Sequence, residues 1–273
     1  MAELLTQISD KDRQREKNKK SWRDYILSGS LFFSFLACWE ILVPASMRNA
    51  LPKPHVIAEA VVQYWPNLSK QMMYTAAEAL MGFALGNLIA VILAATFVYS
   101  QSMADTVYPL AVVLKSIPLV ALTPFVVIFF GQGMLSKVVI AAIICFFPTL
   151  VNMVQGLTAI DIQALELMHT LNANGRQMFW KMRFPFSLPY LFTSFKITSS
   201  AAVLGAIIGE WMGAWRGLGA VIIQAMYNMR GAQLWSAMAI ATALSIVAYV
   251  LTVLAERMII PWHSSMKTIE LVE

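Results

Sequence analysis

Residues Asp161 to Pro189 read DIQALELMHTLNANGRQMFWKMRFPFSLP, a polar and basic stretch between two apolar runs that are each long enough to cross a bilayer. Asp161 is placed as an N-cap, and Ala164, Leu167, Met168 and Leu171 follow at i, i+3, i+4 and i+7, opposite Gln163 and Glu166. That spacing predicts one short amphipathic helix. Asn172, Asn174 and Gly175 tolerate the left-handed conformation that ends a helix. Met178, Phe179 and Met182 then begin a second apolar face flanked by Arg176, Lys181 and Arg183. This second helix is expected to stop before Pro185, because proline disfavours the helical conformation in the residue preceding it. The stretch is a helical elbow on one side of a membrane, and the first helix carries an apolar stripe that no membrane span accounts for.

The rest of the chain reads as scaffold for that elbow. Of 273 residues, 59% are hydrophobic and 13% charged, a balance beyond that of soluble domains. Apolar runs near Tyr25–Val43, Ala79–Tyr99, Tyr108–Phe130, Leu135–Val154, Leu188–Trp211 and Ala237–Leu254 predict an all-α, polytopic membrane protein with about six spans. Residues 1–24 hold seven Lys or Arg and lack the core of a signal peptide, so they are expected to form a basic cytoplasmic tail that orients the protein or touches anionic lipid. A nucleic-acid arm is the rival reading of that charge run, and none is expected. Residues 25–260 form the membrane domain, with the loop 161–189 inside the cell, and 261–273 a second cytoplasmic tail. Under this arrangement the inner segments carry twelve Lys or Arg and the outer ones six, which places both termini and the elbow in the cytoplasm of a cell membrane.

Within the spans, Gly82 and Gly86 have the spacing that lets two helix backbones approach closely. Gly205, Gly209, Gly213 and Gly217 recur at strict four-residue intervals and predict a ridge for helix or dimer contact. Pro118 and Pro124, six residues apart, cannot both sit in an undistorted helix. Backbone freed at membrane depth must be satisfied by protein or face a wet cavity, so the segment is either a broken helix in a translocation path or a kinked packing helix. Lys115 just before it either draws a polar solute toward the cavity or reaches the headgroups. Glu210 is a substrate contact or an edge residue in water. Glu40 and Lys196 are expected to snorkel, and Glu78 to be peripheral. Cys38 and Cys145 are packing thiols, and the three histidines have no metal-ligand spacing, so neither metal nor cofactor is expected.

The elbow resembles the loop motif of ATP-binding-cassette importer permeases, with Glu166 on its Glu, Met182 on its Ile, Phe184 on its Leu and Pro185 on its Pro. Leu167 and Met168 replace a small pair, and Asn172 replaces a Gly. Leu51-Pro52-Lys53-Pro54, the Pro118 and Pro124 pair, Phe147-Pro148, Gly209-Glu210-Trp211 and Gly217-Leu218-Gly219 extend the resemblance to the nitrate, sulfonate and taurine branch. The run from Cys145 to Gly156 is most similar to permeases for pyrimidine precursors of thiamine. The resemblance implies that Glu166, Leu167, Met168, Leu171, Asn172 and Pro185 dock on a separate ATPase subunit. It also implies a homodimer, served by an extracytoplasmic solute-binding protein, that imports a pyrimidine precursor or else a sulfonate, taurine, nitrate or riboflavin.

No Gly is followed by Lys, so the phosphate-cradling loop of an ATPase is absent and this chain is expected to be a transport subunit rather than an enzyme. An ion-coupled secondary transporter would need acidic groups in midplane helices. An intramembrane enzyme would need a paired His, Ser or carboxylate set within the spans, and the sequence has none.

Overall fold

The computed structural model of the protein describes residues 27, 29–31, 33–44, 50–114 and 116–261. The expected basic tail at 1–24, Lys115 and nearly all of the second tail lie outside the described residues. Among the described residues there is no strand. The helices are α1 (Gly29–Leu42), α2 (Pro54–Tyr99), α3 (Gln101–Leu114), α4 (Leu119–Phe130), α5 (Met134–Thr158), α6 (Ile162–Thr170), α7 (Gly175–Met178), α8 (Phe184–Trp211), α9 (Leu218–Tyr227) and α10 (Gly231–Ile259), with a π-helical turn, Phe179–Arg183, between α7 and α8. Among the described residues four stretches are long and apolar enough to cross a membrane: α2, α5, the continuous run Gly175–Trp211, and α10. The apolar run Tyr108–Phe130 is not one helix. It divides before Pro118, which caps α4, while Pro124 sits inside α4.

The segment from Pro54 through Lys70, which precedes the apolar run Ala79–Tyr99, is the first part of α2. Pro54 starts that helix, at a position where its missing N–H costs nothing. Its 46 residues, at about 1.5 Å each, span about 69 Å, more than twice a hydrocarbon core of about 30 Å. The helix therefore reaches well beyond the bilayer.

Helices α2, α5 and α8 form the centre, and α10 closes over α2 and α8. Glycines explain how α5 is clasped from both sides. A Cβ on Gly86 of α2 would run into the backbone of Ala142, and one on Gly205 of α8 would stand 2.8 Å from the Ala141 Cα. Gly209 approaches Lys137 of α5 in the same manner, its added Cβ lying 3.1 Å from the Lys137 Cα. Backbones this close gain dispersion contacts that lipid tails cannot outcompete. Deeper along the seam, Asn87 Oδ1 accepts from Thr149 Oγ1 at 2.5 Å and from Thr198 Oγ1 at 3.4 Å, joining the three helices by buried hydrogen bonds. One apolar core gathers Leu68, Cys145, Val203 and Leu218 and the other Phe97, Leu157, Phe179 and Leu191.

The four-glycine ridge is corrected to two. α8 ends at Trp211, so Gly213 and Gly217 lie beyond it, at φ of 89° and 104°. They turn the chain rather than line a helix face, since side chains other than glycine rarely adopt such φ. Two charges expected to snorkel are paired instead. Lys196 Nζ lies 3.1 Å from each Glu256 carboxylate oxygen, across α8 and α10. Glu40 Oε1 lies 2.7 Å from His55 Nδ1.

Candidate functional site

The elbow is built from local signals. Asp161 Oδ1 accepts from Gln163 N at 3.3 Å and starts α6. The helix closes with Ala173 N donating to Met168 O at 3.0 Å and Asn172 N to His169 O at 2.9 Å, around Asn172 at φ 52°. This is the Schellman arrangement, and it explains how Asn172 stands in a position that favours glycine. Asn174 and Gln177 then form a reciprocal capping box, with Gln177 N donating to Asn174 Oδ1 at 2.8 Å and Asn174 N to Gln177 Oε1 at 3.0 Å.

α6 buries no residue and stands off the bundle. Of the stripe, Leu167 is 60% and Leu171 67% exposed, while Ala164 and Met168 are half-buried. Glu166 is exposed on the opposite face. The expected stop before Pro185 does not occur. Phe184 N donates to Phe179 O, five residues back, and the π turn carries the elbow without interruption into α8. Pro185 occupies the first turn of α8, where a proline is tolerated. Arg183 Nη1 donates to Leu157 O at 2.8 Å, which fastens this turn to the end of α5.

The break at Pro118 opens on a cavity of about 620 Å³ between α4 and α5. Ile117, Leu119, Leu122, Phe147, Pro148 and Asn152 are among its walls. Its surface is apolar apart from Asn152, whose Nδ2 donates to Pro148 O at 2.8 Å. Pro118 and Pro124 are exposed beside it.

At the opposite end of α8 the chain forms a closed polar joint. The first N–H groups of a helix have no partner within it. Around the start of α9 they belong to Gly217, Leu218 and Gly219, and they donate to Gln71 Oε1 at 2.7 Å, Thr75 Oγ1 at 2.8 Å and Glu210 Oε2 at 2.5 Å. Thr75 Oγ1 also lies 2.7 Å from Glu210 Oε1. A carboxylate at this place is favoured by the positive end of the helix dipole. Glu210 is 1% exposed, so it is not an edge residue in water. Nor is Glu78 peripheral: it is buried, within electrostatic reach of Glu210 and Lys137. Lys137 is buried too, and its Nζ donates to Gly133 O at 2.9 Å and to Gln132 O.

Sequence reasoning singled out Glu210 and Gly217 for separate reasons and did not foresee Gln71 or Thr75 as their partners. The available signal was the pair of strings Gly209-Glu210-Trp211 and Gly217-Leu218-Gly219, which are two sides of one joint. Beside it, α2, the α8–α9 connection and α9 border a second, open cavity of about 640 Å³, lined by Trp211, Trp215 and Tyr227 and edged by Asn67, Gln71, Gln224 and Asn228. The structure therefore separates the expected residues into three places: Leu167 and its neighbours on the elbow, Pro118 and Pro124 at the break, and Glu210 with Gly213 and Gly217 at the far joint.

A bundle of this build, with four membrane-crossing stretches among the described residues, an uncovered elbow and two open cavities, is that of a multi-pass transport protein. Residues 86–264 match the family of binding-protein-dependent transport system inner membrane components, and the chain belongs to that family. It is the permease of an ATP-binding-cassette importer, a transport subunit rather than an enzyme. The formylaminopyrimidine transport permease of Halalkalibacterium halodurans is 31% identical over 87% of this chain and 96% of its own length. The riboflavin transport system permease of Chloroflexus aurantiacus is 31% identical over 96% of this chain and 98% of its own. Permeases named for aliphatic sulfonates, taurine and nitrate stand further off. Among solved structures, a chain of the inward-facing MetNI methionine transporter superposes with a TM-score of 0.54 at 22% identity, over 77% of this chain and 97% of that one, a likeness of fold alone.

Proposed function

We propose that this permease imports a small polar heterocycle of the aminopyrimidine type, a precursor of the thiamine pyrimidine, as a homodimer coupled to a separate ATPase pair and fed by an extracytoplasmic binding protein. The observation that carries the substrate class is the kinship with the formylaminopyrimidine permease, which runs over 96% of that protein. Riboflavin is the second reading, because the riboflavin permease matches at the same identity over still more of this chain. The elbow is the coupling element in this proposal. Its exposed stripe fits helix-in-groove recognition, in which an apolar helix face lies in a partner's groove.

ATP-driven closure of the ATPases would push α6, and the continuous run into α8 would carry that movement across the membrane. The two permease copies would rock about the space between them, giving alternating access. Both termini and the elbow lie in the cytoplasm in this scheme. Cysteines placed at Lys181 and Arg216 should label from opposite sides of sealed cells, and labelling from the same side would overturn the orientation. The substrate is tested by uptake of labelled aminopyrimidine, riboflavin, taurine and nitrate into cells whose only route is this permease with its ATPase and binding protein. Pyrimidine uptake alone is the expected result, and uptake confined to taurine or nitrate would reject the reading.

A further inference from the structure

The cavity at the far joint differs in chemistry from the one beside the helix break. We infer that this far cavity is a solute site of the permease itself, built for a planar, uncharged ring with hydrogen-bonding edges and not for an anion. The inference rests on the importer reading above and specifies its substrate class.

Three rings border the cavity: Trp211, Trp215 and Tyr227. Trp215 is 88% and Tyr227 78% exposed, so their faces are open to a guest rather than spent on packing. Aromatic faces accept stacked heterocycles with little regard to the identity of the ring. Gln224 offers a side-chain amide that has no hydrogen-bond partner among the described residues, and an amide can both donate to and accept from the edge of a ring. Asn67 Oδ1 accepts from Gln71 Nε2 at 3.3 Å, which leaves the Asn67 amide nitrogen to donate.

Charge argues in the same direction. No Lys, Arg or His borders the cavity among the described residues, and its one ionisable wall is the Glu210 carboxylate. Nitrate, taurine or a sulfonate would find no cation on the cavity wall to hold it, whereas an uncharged ring needs none. The volume, about 640 Å³, falls within the ordinary range of small-molecule sites. The cavity beside the break offers a polar solute only Asn152, already bonded to its own helix.

The test uses the permease–ATPase complex in lipid nanodiscs without binding protein, titrated with labelled aminopyrimidine and competed with riboflavin, taurine and nitrate. The complex should retain the ring, riboflavin should compete, and the two anions should not. Trp215→Ala and Gln224→Leu should each weaken retention by about tenfold, while Trp215→Phe, which keeps an aromatic face, should stay within about threefold. Both positions are exposed, and an unchanged ATPase content in each complex controls for assembly. Retention that ignores all three variants, or competition by taurine or nitrate, would overturn the site. So would absence of retention in wild type; if Trp215→Ala then abolished uptake in the complete transporter, the cavity would be a docking face for the binding protein. Uptake of rings by complete wild-type and variant transporters alike would remove the site and leave the importer reading intact. Wild-type uptake of anions alone would remove both.

Discussion

The run Gly175–Trp211 joins two ends of opposite construction. At the elbow the bonds that shape α6 and α7 are local: Asp161 holds Gln163, Asn174 and Gln177 hold each other, and Asn172 closes its own helix. Leu167 and Leu171 of its stripe are exposed. At the far joint the bonds are long-range, Thr75 to Glu210 across 135 positions and Gly217 to Gln71 across 146, and the N–H groups of Gly217, Leu218 and Gly219 are taken. One end is shaped by short-range bonds and leaves Leu167 and Leu171 uncovered, while the other is tied together from α2, α8 and α9. The difference teaches how each end is held: the elbow by neighbours in sequence, the joint by distant helices whose hydrogen bonds close while Trp215 and Tyr227 beside them stay exposed.

That contrast can be broken at either end. The largest effect is expected for Leu167→Asp, which leaves the permease folded because Leu167 is exposed, but places an unpaired charge in the proposed ATPase groove at a cost of about 3–5 kcal/mol. Co-purified ATPase should fall more than about 100-fold, since each 1.4 kcal/mol is tenfold. A wild-type ATPase ratio with solute-stimulated hydrolysis intact would remove the elbow from coupling.

Next is Gly205→Leu, expected to destabilise the permease by at least about 1–3 kcal/mol by forcing α8 away from Ala141. Thermal unfolding in detergent measures it, and a melting temperature equal to wild type would show that the clasp on α5 is slack. Glu210→Ala should cost about 1–3 kcal/mol by leaving the buried Gly219 N–H without its acceptor. Faster amide exchange should then be confined to α9 and the turn before it; faster exchange in α6 would mean that the two ends are not independent. The smallest effect is that of Asp161→Ala, about 1 kcal/mol from the lost cap. It should quicken exchange in the first turn of α6 and leave α9 untouched.

The same contrast decides how much could be read from the chain. The elbow's cap, stripe and left-handed Asn172 were legible because each depends on neighbours within a few residues. The helical class and the break at Pro118 were legible for the same reason, from composition and from proline's missing donor. Glu210 was not, because its partners Thr75 and Gly219 are brought to it only by the packing of α2 and α9 against α8. Gly213 and Gly217 keep the spacing of Gly205 and Gly209 although the helix has ended, so periodicity alone extended a ridge through a turn. Pro185 was read as a stop because a π turn carries no strong local signature, and Arg183 gave no hint that it would bond Leu157.

The π turn between α7 and α8 has a geometric consequence of its own. It holds one residue more than an α-helical turn would, and each residue of an α-helix advances the chain by about 100°. The turn therefore sets the azimuth at which the elbow leaves the membrane-crossing rod. Removing a single residue between Phe179 and Arg183 would swing everything before it by about 100° while the seam from Ser187 to Gly209 stayed in place. The angular phase of the elbow is thus carried by five residues that touch neither cavity.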